Sequence, residues 1–230
     1  MTPFLHTAAR LAVATVTAMW ALLASAAPQT ADTISVRRAF EQFPLDNLDL
    51  LQRSTRLDML AYYDADSIYR ATNAMQGISW LDTVTPDYIK VVITPVSTLQ
   101  LKVLPSRKGG NIVMSVYTVG DSAAASDSDV RFWSAQLQEL DRSKLLPEPR
   151  LKDFFDIPKG CETSQKEIDS MIPFPTVEFL PSPHSDALRA RLTIDRFINQ
   201  DDFNIIKLFL KPELEYEWKA PGYKLIKVKK

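Results

Sequence analysis

One cysteine, two histidines and six glycines among 230 residues leave little material for several kinds of chemistry. Cys161 is the lone thiol, so no intrachain disulfide can form and packing must hold the fold. A zinc site would have to lean on carboxylates, because neither H-E-x-x-H nor C-x-x-C spacing occurs. Six glycines supply no phosphate-cradling loop, and no cofactor is expected. Charge of neither sign dominates: 27 Lys and Arg face 28 Asp and Glu. Without a basic field, nucleic acid and anionic membrane surfaces are not expected partners.

What the chain does have begins with an apolar run. Met1 to Arg10 carries one formal charge, Arg10, and is followed by apolar Leu11 to Leu23 and then by Ala24-Ser25-Ala26. A basic start, a short apolar helix and small side chains at an A-x-A site make residues 1–26 a signal peptide, cleaved after Ala26. The alternative is an uncleaved anchor, but Thr15, Thr17, Ser25, Pro28, Gln29 and Thr30 dilute the span below the roughly 20 apolar residues that a bilayer needs. No cysteine follows the run to carry a lipid. The expected location is the periplasm or cell surface. Loss of Arg10 leaves 26 basic against 28 acidic side chains. No stretch beyond residue 31 is apolar for long enough to span a membrane.

The pattern then changes twice. Val36, Phe40 and Phe43 recur at helical spacing, with Asp32 or Thr33 placed to cap and Pro44 to stop. Thr55 and Asp58 suggest a second helix start, burying Leu57, Leu60 and Ala61. From Gly77 the period becomes two: Ile89, Val91 and Ile93 alternate, as do Leu99, Leu101 and Val103. Lys108 to Asn111 is a turn signal, and Ile112 to Val119 is apolar on both faces, as a central strand would be. Val130 to Trp133 completes an antiparallel meander. Pro147 and Pro149 mark a boundary, after which short helices at Leu151 to Phe155 and Ser164 to Met171 precede strands at Val177 to Leu180, Leu188 to Ile194 and Ile205 to Leu210, and in a C-terminal pair. Ser164 with Glu167 forms a capping box. The expected fold class is α+β with two tandem modules, 27–145 and 146–230, each short helices followed by an antiparallel meander. In the last hairpin a three-residue loop, Ala220 to Gly222, would pair Glu215 with Lys227, Tyr216 with Ile226 and Leu214 with Val228, with Gly222 left-handed. That register sends Tyr216 and Trp218 inward and leaves an acidic-basic face in water.

Four segments carry a resemblance: Arg56-Leu57-Asp58-Met59-Leu60-Ala61-Tyr62-Tyr63; Thr94 to Thr98 with Leu104-Pro105; Asp127 to Phe132; and Phe154 to Cys161. They resemble an uncharacterised secreted family of Gram-negative anaerobes, a domain of unknown function. The resemblance implies an exported protein and transfers no functional residue. The order of helices and meander is also similar to small β-lactamase-inhibitor-like and peptidase-propeptide-like modules, a likeness of fold alone.

Candidate chemistry is sparse. Cys161 and His184 are the thiol and imidazole of the mature chain, hence an alternative nucleophile pair, against the plainer reading of two loop residues. Ser182, His184, Ser185 and Asp186 look like triad members but are sequence neighbours, which point in different directions. Asp121, Asp127 and Asp129 offer oxygens without the glycine turn and glutamate of a calcium loop. Asp64 with Asp66 and Asp201 with Asp202 are carboxylate pairs of unknown separation. Trp80, Trp133 and Trp218 are either core or stacking surfaces. Tyr62 and Tyr63, adjacent on a helix, cannot both occupy its buried centre, so one of them is the candidate contact surface. These features point to a secreted binding or protein-interaction module whose partner is a protein or a cell-envelope ligand. The alternative is a secreted hydrolase with an unrecognised active site.

Overall fold

A computed structural model describes residues 33–44, 48–107, 109–120 and 125–226. The expected signal peptide, and Lys227 and Val228 of the expected hairpin, lie outside the described residues.

Alternation of apolar residues builds two antiparallel sheets. Seven strands in chain order form the first: β1 (Ala71–Thr72), β2 (Ile78–Val84), β3 (Tyr88–Thr94), β4 (Ser97–Pro105), β5 (Asn111–Val119), β6 (Asp127–Ser134) and β7 (Glu139–Leu140). Four form the second, ordered β11-β10-β9-β8: β8 (Val177–Pro181), β9 (Leu188–Leu192), β10 (Leu214–Lys219) and β11 (Gly222–Leu225). The helices are α1 (Val36–Gln42), α2 (Arg53–Asp64), α3 (Gln165–Met171) and α4 (Gln200–Ile206). The protein is α+β, built on β-meanders, as its residue pattern implies.

The two faces of the first sheet bury different neighbours because side chains alternate across a strand. Leu99, Leu101, Val113 and Trp133 pack with Val36, Ala39, Phe40, Met59 and Leu60 of α1 and α2. The opposite parity, Leu104, Met114, Val116, Val130 and Phe132, packs with Phe179, Leu188, Ala190, Leu192, Leu214, Tyr216 and Trp218 of the second sheet. Helices, seven strands and four strands thus form three layers, which is why β5 is apolar on both faces. The outer face of the second sheet is charged: Arg191 pairs with Glu178, and Arg189 with Glu213. The free edge of β8 is blocked by β6, with the backbone N–H groups of Val177 and Phe179 donating to Asp127 Oδ1 and Ser128 Oγ, each at 3.0 Å.

Helix boundaries differ from the residue pattern in instructive ways. α1 is capped by Ser35, whose Oγ accepts from Arg38 N at 3.2 Å, rather than by Asp32 or Thr33. The Thr55–Asp58 box does not form. α2 starts at Arg53 after Gln52, and it buries Arg56, Met59 and Leu60 while Leu57 and Ala61 face solvent. The cause is Arg56, whose Nη1 donates to Phe40 O at 2.8 Å and Phe43 O at 2.9 Å, satisfying carbonyls at the end of α1 that the helix itself leaves open. Burial lowers its pKa, with Arg53 adding to the effect and Glu41 opposing it. The Ser164–Glu167 capping box of α3 forms as expected.

Two strand expectations are corrected. Ile205 to Leu210 is not a strand: α4 runs through Ile206, started by Asn199, whose side chain accepts from Asp202 N at 2.8 Å. Ile206 is buried while Leu208 is 74% exposed, so the apolar run has no buried strand face. The final hairpin pairs Tyr216 with Leu225, Glu217 with Lys224, Trp218 with Tyr223 and Lys219 with Gly222, one residue off the expected register, around a two-residue turn with a cis Ala220–Pro221 bond. That register sets the Trp218 and Tyr223 rings edge to face at 4.9 Å inside the core and leaves Ile226 exposed. Tyr216 and Trp218 do point inward, and Glu215 and Glu217 are exposed. Gly222 is not left-handed; it is required because a Cβ there would stand 2.8 Å from Leu145 O, against which Tyr223 N donates at 2.7 Å.

Candidate functional site

Helices of 7 and 12 residues, roughly 10 and 18 Å long at 1.5 Å per residue, cannot cover strands of nine residues that extend about 30 Å. One end of the helix-bearing face of the first sheet therefore stays open. Register decides what lies there. Leu101, Ser115 and Arg131 form one cross-strand row, and Leu99, Tyr117 and Asp129 form the next. These rows and the connection between α1 and α2 enclose a groove of about 200 Å³. Phe43, Leu48, Asp49 and Leu50 form its near wall, and Trp133 and Ile93 contribute to its floor.

The groove has a fixed shape. Trp133 Nε1 donates to Ser115 Oγ at 2.8 Å, and its ring meets that of Phe43 at 5.1 Å and 70°. Arg131 Nε donates to Asp129 Oδ2 at 2.7 Å, which raises the guanidinium pKa, and Tyr117 is half-buried beside them. An aromatic and aliphatic floor with a charged pair at one end suits recognition of an apolar group attached to a polar one.

A second polar cluster lies on the other face of the sheet. Lys102 is 1% exposed, and its Nζ lies 2.7 Å from Asp87 Oδ2 and 3.9 Å from Asp186 Oδ1. Asp87 precedes β3, and Asp186 belongs to the loop between β8 and β9, so this lysine joins the two sheets. Desolvation pushes the Asp186 pKa up, with Lys102 opposing and Asp87 reinforcing the rise. Beside Lys102 on the same sheet, the Tyr88 hydroxyl donates to Gln100 Oε1 at 2.8 Å.

The residues singled out from sequence fall elsewhere. Tyr62 is 49% exposed and stacks on Tyr69 at 4.9 Å, whereas the Tyr63 hydroxyl accepts from Val84 N at 3.2 Å. Cys161 is exposed in the turn after Pro158, and His184 is exposed in the β8–β9 loop; no hydrogen bond joins their side chains among the described residues. Ser182 and Ser185 serve that loop locally, their Oγ atoms accepting from His184 N and Ala187 N. Asp127 is occupied by β8, Asp129 by Arg131, and Asp64 by Arg37. Asp121 lies outside the described residues. Trp80 lies beneath the Arg70 guanidinium at 5.0 Å. Sequence reasoning missed Tyr117, Arg131 and Lys102. The signal for Tyr117 and Arg131 was their parity with Leu99 and Trp133, which sets them on the helix-bearing face. Nothing in the sequence distinguishes Lys102 from a lysine on a solvated strand face.

Comparison with known proteins adds fold and family. A solved structure described as a domain of an uncharacterized protein from Porphyromonas gingivalis W83 is similar, with a TM-score of 0.70 at 20% identity, covering 84% of this chain and 98% of that one. At that identity the likeness shows the fold alone. Comparison with curated proteins finds no match. The family model described as "Protein of unknown function (DUF3256)" matches residues 29–223, and the chain belongs to that family.

Proposed function

We propose that the protein is an exported, non-catalytic binding module of the periplasm or cell surface, and that the groove beside Trp133 receives its ligand. The observation that carries this reading is the pairing of the groove's polar groups with one another, Trp133 with Ser115 and Arg131 with Asp129. Such pairing holds a preformed shape at little cost on binding. Phe43, Leu48 and Leu99 favour an apolar group of a cell-envelope ligand or partner, with Asp49 and the Asp129–Arg131 pair oriented to its polar part. Export rests on Arg10, the run from Leu11 to Leu23 and Ala24-Ser25-Ala26.

The test is to probe arrays of envelope saccharides and short peptides with the mature protein and with Tyr117→Ala and Arg131→Glu variants. A ligand that binds the parent protein, changes Trp133 fluorescence and is lost in both variants supports the groove. Ligands that bind all three proteins equally would move the site elsewhere. Export is tested separately by N-terminal sequencing of the exported protein, which is expected to begin at Ala27; a start at Met1 refutes it.

A further inference from the structure

A second cavity, of about 250 Å³, is independent of the groove. It opens where the segment joining the two sheets passes β6 and β8. Leu151 and Phe154, from a 3₁₀ turn, face Val177 and Phe179 of β8 across it. Asp127 and Ser128 also line it, but their side-chain oxygens already accept the Val177 and Phe179 N–H groups. At the polar end Arg142 pairs with Glu148 at 2.8 Å.

Two polar atoms there are buried with no partner: Arg142 Nε and the hydroxyl of Tyr216. Tyr216 is 1% exposed, and the charges of Asp153, Glu148 and Arg142 all act on its hydroxyl, which sets that oxygen toward the Arg142–Glu148 end of the cavity. A tyrosine that only filled core would be better replaced by phenylalanine, since an unmade buried hydrogen bond costs stability.

We infer that this cavity is a binding site for a compact neutral molecule carrying one carbonyl or amide oxygen on an apolar body. One carbonyl oxygen has two lone pairs and can accept from both Arg142 Nε–H and the Tyr216 hydroxyl. Neutrality follows from the local charge: Glu148 already matches Arg142, and Asp127 and Asp153 add negative charge that repels an anion. The apolar body follows from Leu151, Phe154, Val177 and Phe179. The volume lies below the roughly 300–1,000 Å³ of drug-sized pockets, so the ligand is fragment-sized.

The probe is 2-pyrrolidinone, titrated into the ¹⁵N-labelled mature protein with sodium acetate as the comparison. Saturable shifts of the Arg142 Nε–H and of the Val177 and Phe179 amides are expected with pyrrolidinone and not with acetate. Tyr216→Phe keeps the ring and the core, so it is expected to fold while weakening the titration about tenfold, the loss of one hydrogen bond. Arg142→Lys keeps the charge but removes Nε and is expected to weaken it similarly. A pyrrolidinone titration that is absent, matched by acetate or unchanged in Tyr216→Phe overturns the assignment, and a rise in melting temperature in that variant with unchanged titration identifies Tyr216 as core alone.

Discussion

Lys102 Nζ lies 2.7 Å from Asp87 Oδ2, and the lysine side chain that makes this contact is 1% exposed while the carboxylate is 43% exposed. The pair is asymmetric: the cation depends on the protein for its partner, whereas the anion retains water. Removing the anion is therefore the more damaging change. Asp87→Ala, which strands a buried ammonium, is expected to cost about 1.5–3 kcal/mol, the range for hydrogen bonds to charged groups. Lys102→Met fills the same space without a charge and is expected to cost less. Denaturant melts of the two variants check the order; equal losses would mean that packing, not charge, sets the cost.

Asp186 is expected to give the protein a pH dependence of defined sign. Its pKa is raised in the folded chain, chiefly by desolvation and further by Asp87, against the opposing charge of Lys102, with the buried Tyr223 hydroxyl of β11 also nearby. The folded state thus holds this proton more tightly than the unfolded one. The associated stability is present in full below the unfolded carboxylate pKa and is lost as pH rises through the folded value. Asp186→Asn is expected to flatten that segment of the stability profile and to be less destabilising at pH 7 than Asp87→Ala. Thermal melts across the acidic range are the measurement, and a parent profile that rises with pH through this window would contradict the assignment to Asp186.

The closed edge of β8 predicts a local effect. Asp127→Ala and Ser128→Ala each remove one acceptor, from Val177 N and from Phe179 N respectively. Each should cost about 1 kcal/mol and speed hydrogen exchange at its own amide. Unchanged exchange at both amides would show that another group satisfies the edge.

Gly120 has φ +121°, and a Cβ added to it would lie 2.4 Å from Ala125 O. Both the conformation and the backbone contact exclude a side chain. Gly120→Ala is expected to lose more than the roughly 1 kcal/mol typical of point substitutions, with Gly109→Ala, where a Cβ meets nothing within 4 Å, as the milder comparison at positive φ. Their relative melting temperatures decide it.

In the groove, Trp133→Phe removes the donor to Ser115 Oγ while keeping an aromatic ring against Phe43. A loss of about 1–3 kcal/mol is expected from leaving the buried Ser115 hydroxyl unpaired, and Ser115→Ala introduced with it should recover part of that loss. The double-mutant cycle measures the coupling; strictly additive losses would show that the hydrogen bond contributes nothing.

Sequence alone determined the elements whose signal is local. Alternation at Ile89 to Ile93, Leu99 to Val103 and Leu188 to Ile194 defines strands because side-chain direction has period two, and Ser164 with Glu167 defines a helix start because the box closes within one turn. The apolar faces of β5 announced a central strand for the same reason. Tertiary structure decided whatever depended on the opposite layer. Gln100 and Lys102 read as a solvated face until the second sheet covers it. Leu57 read as core until Arg56 reached the carbonyls of α1. The last hairpin was decided by the packing of Trp218 on Tyr223 rather than by Glu–Lys pairing, since aromatic burial outweighs exposed charge pairs of at most about 1 kcal/mol. The groove was likewise illegible, because it exists through the mismatch between short helices and long strands, a relation between elements that no single segment carries.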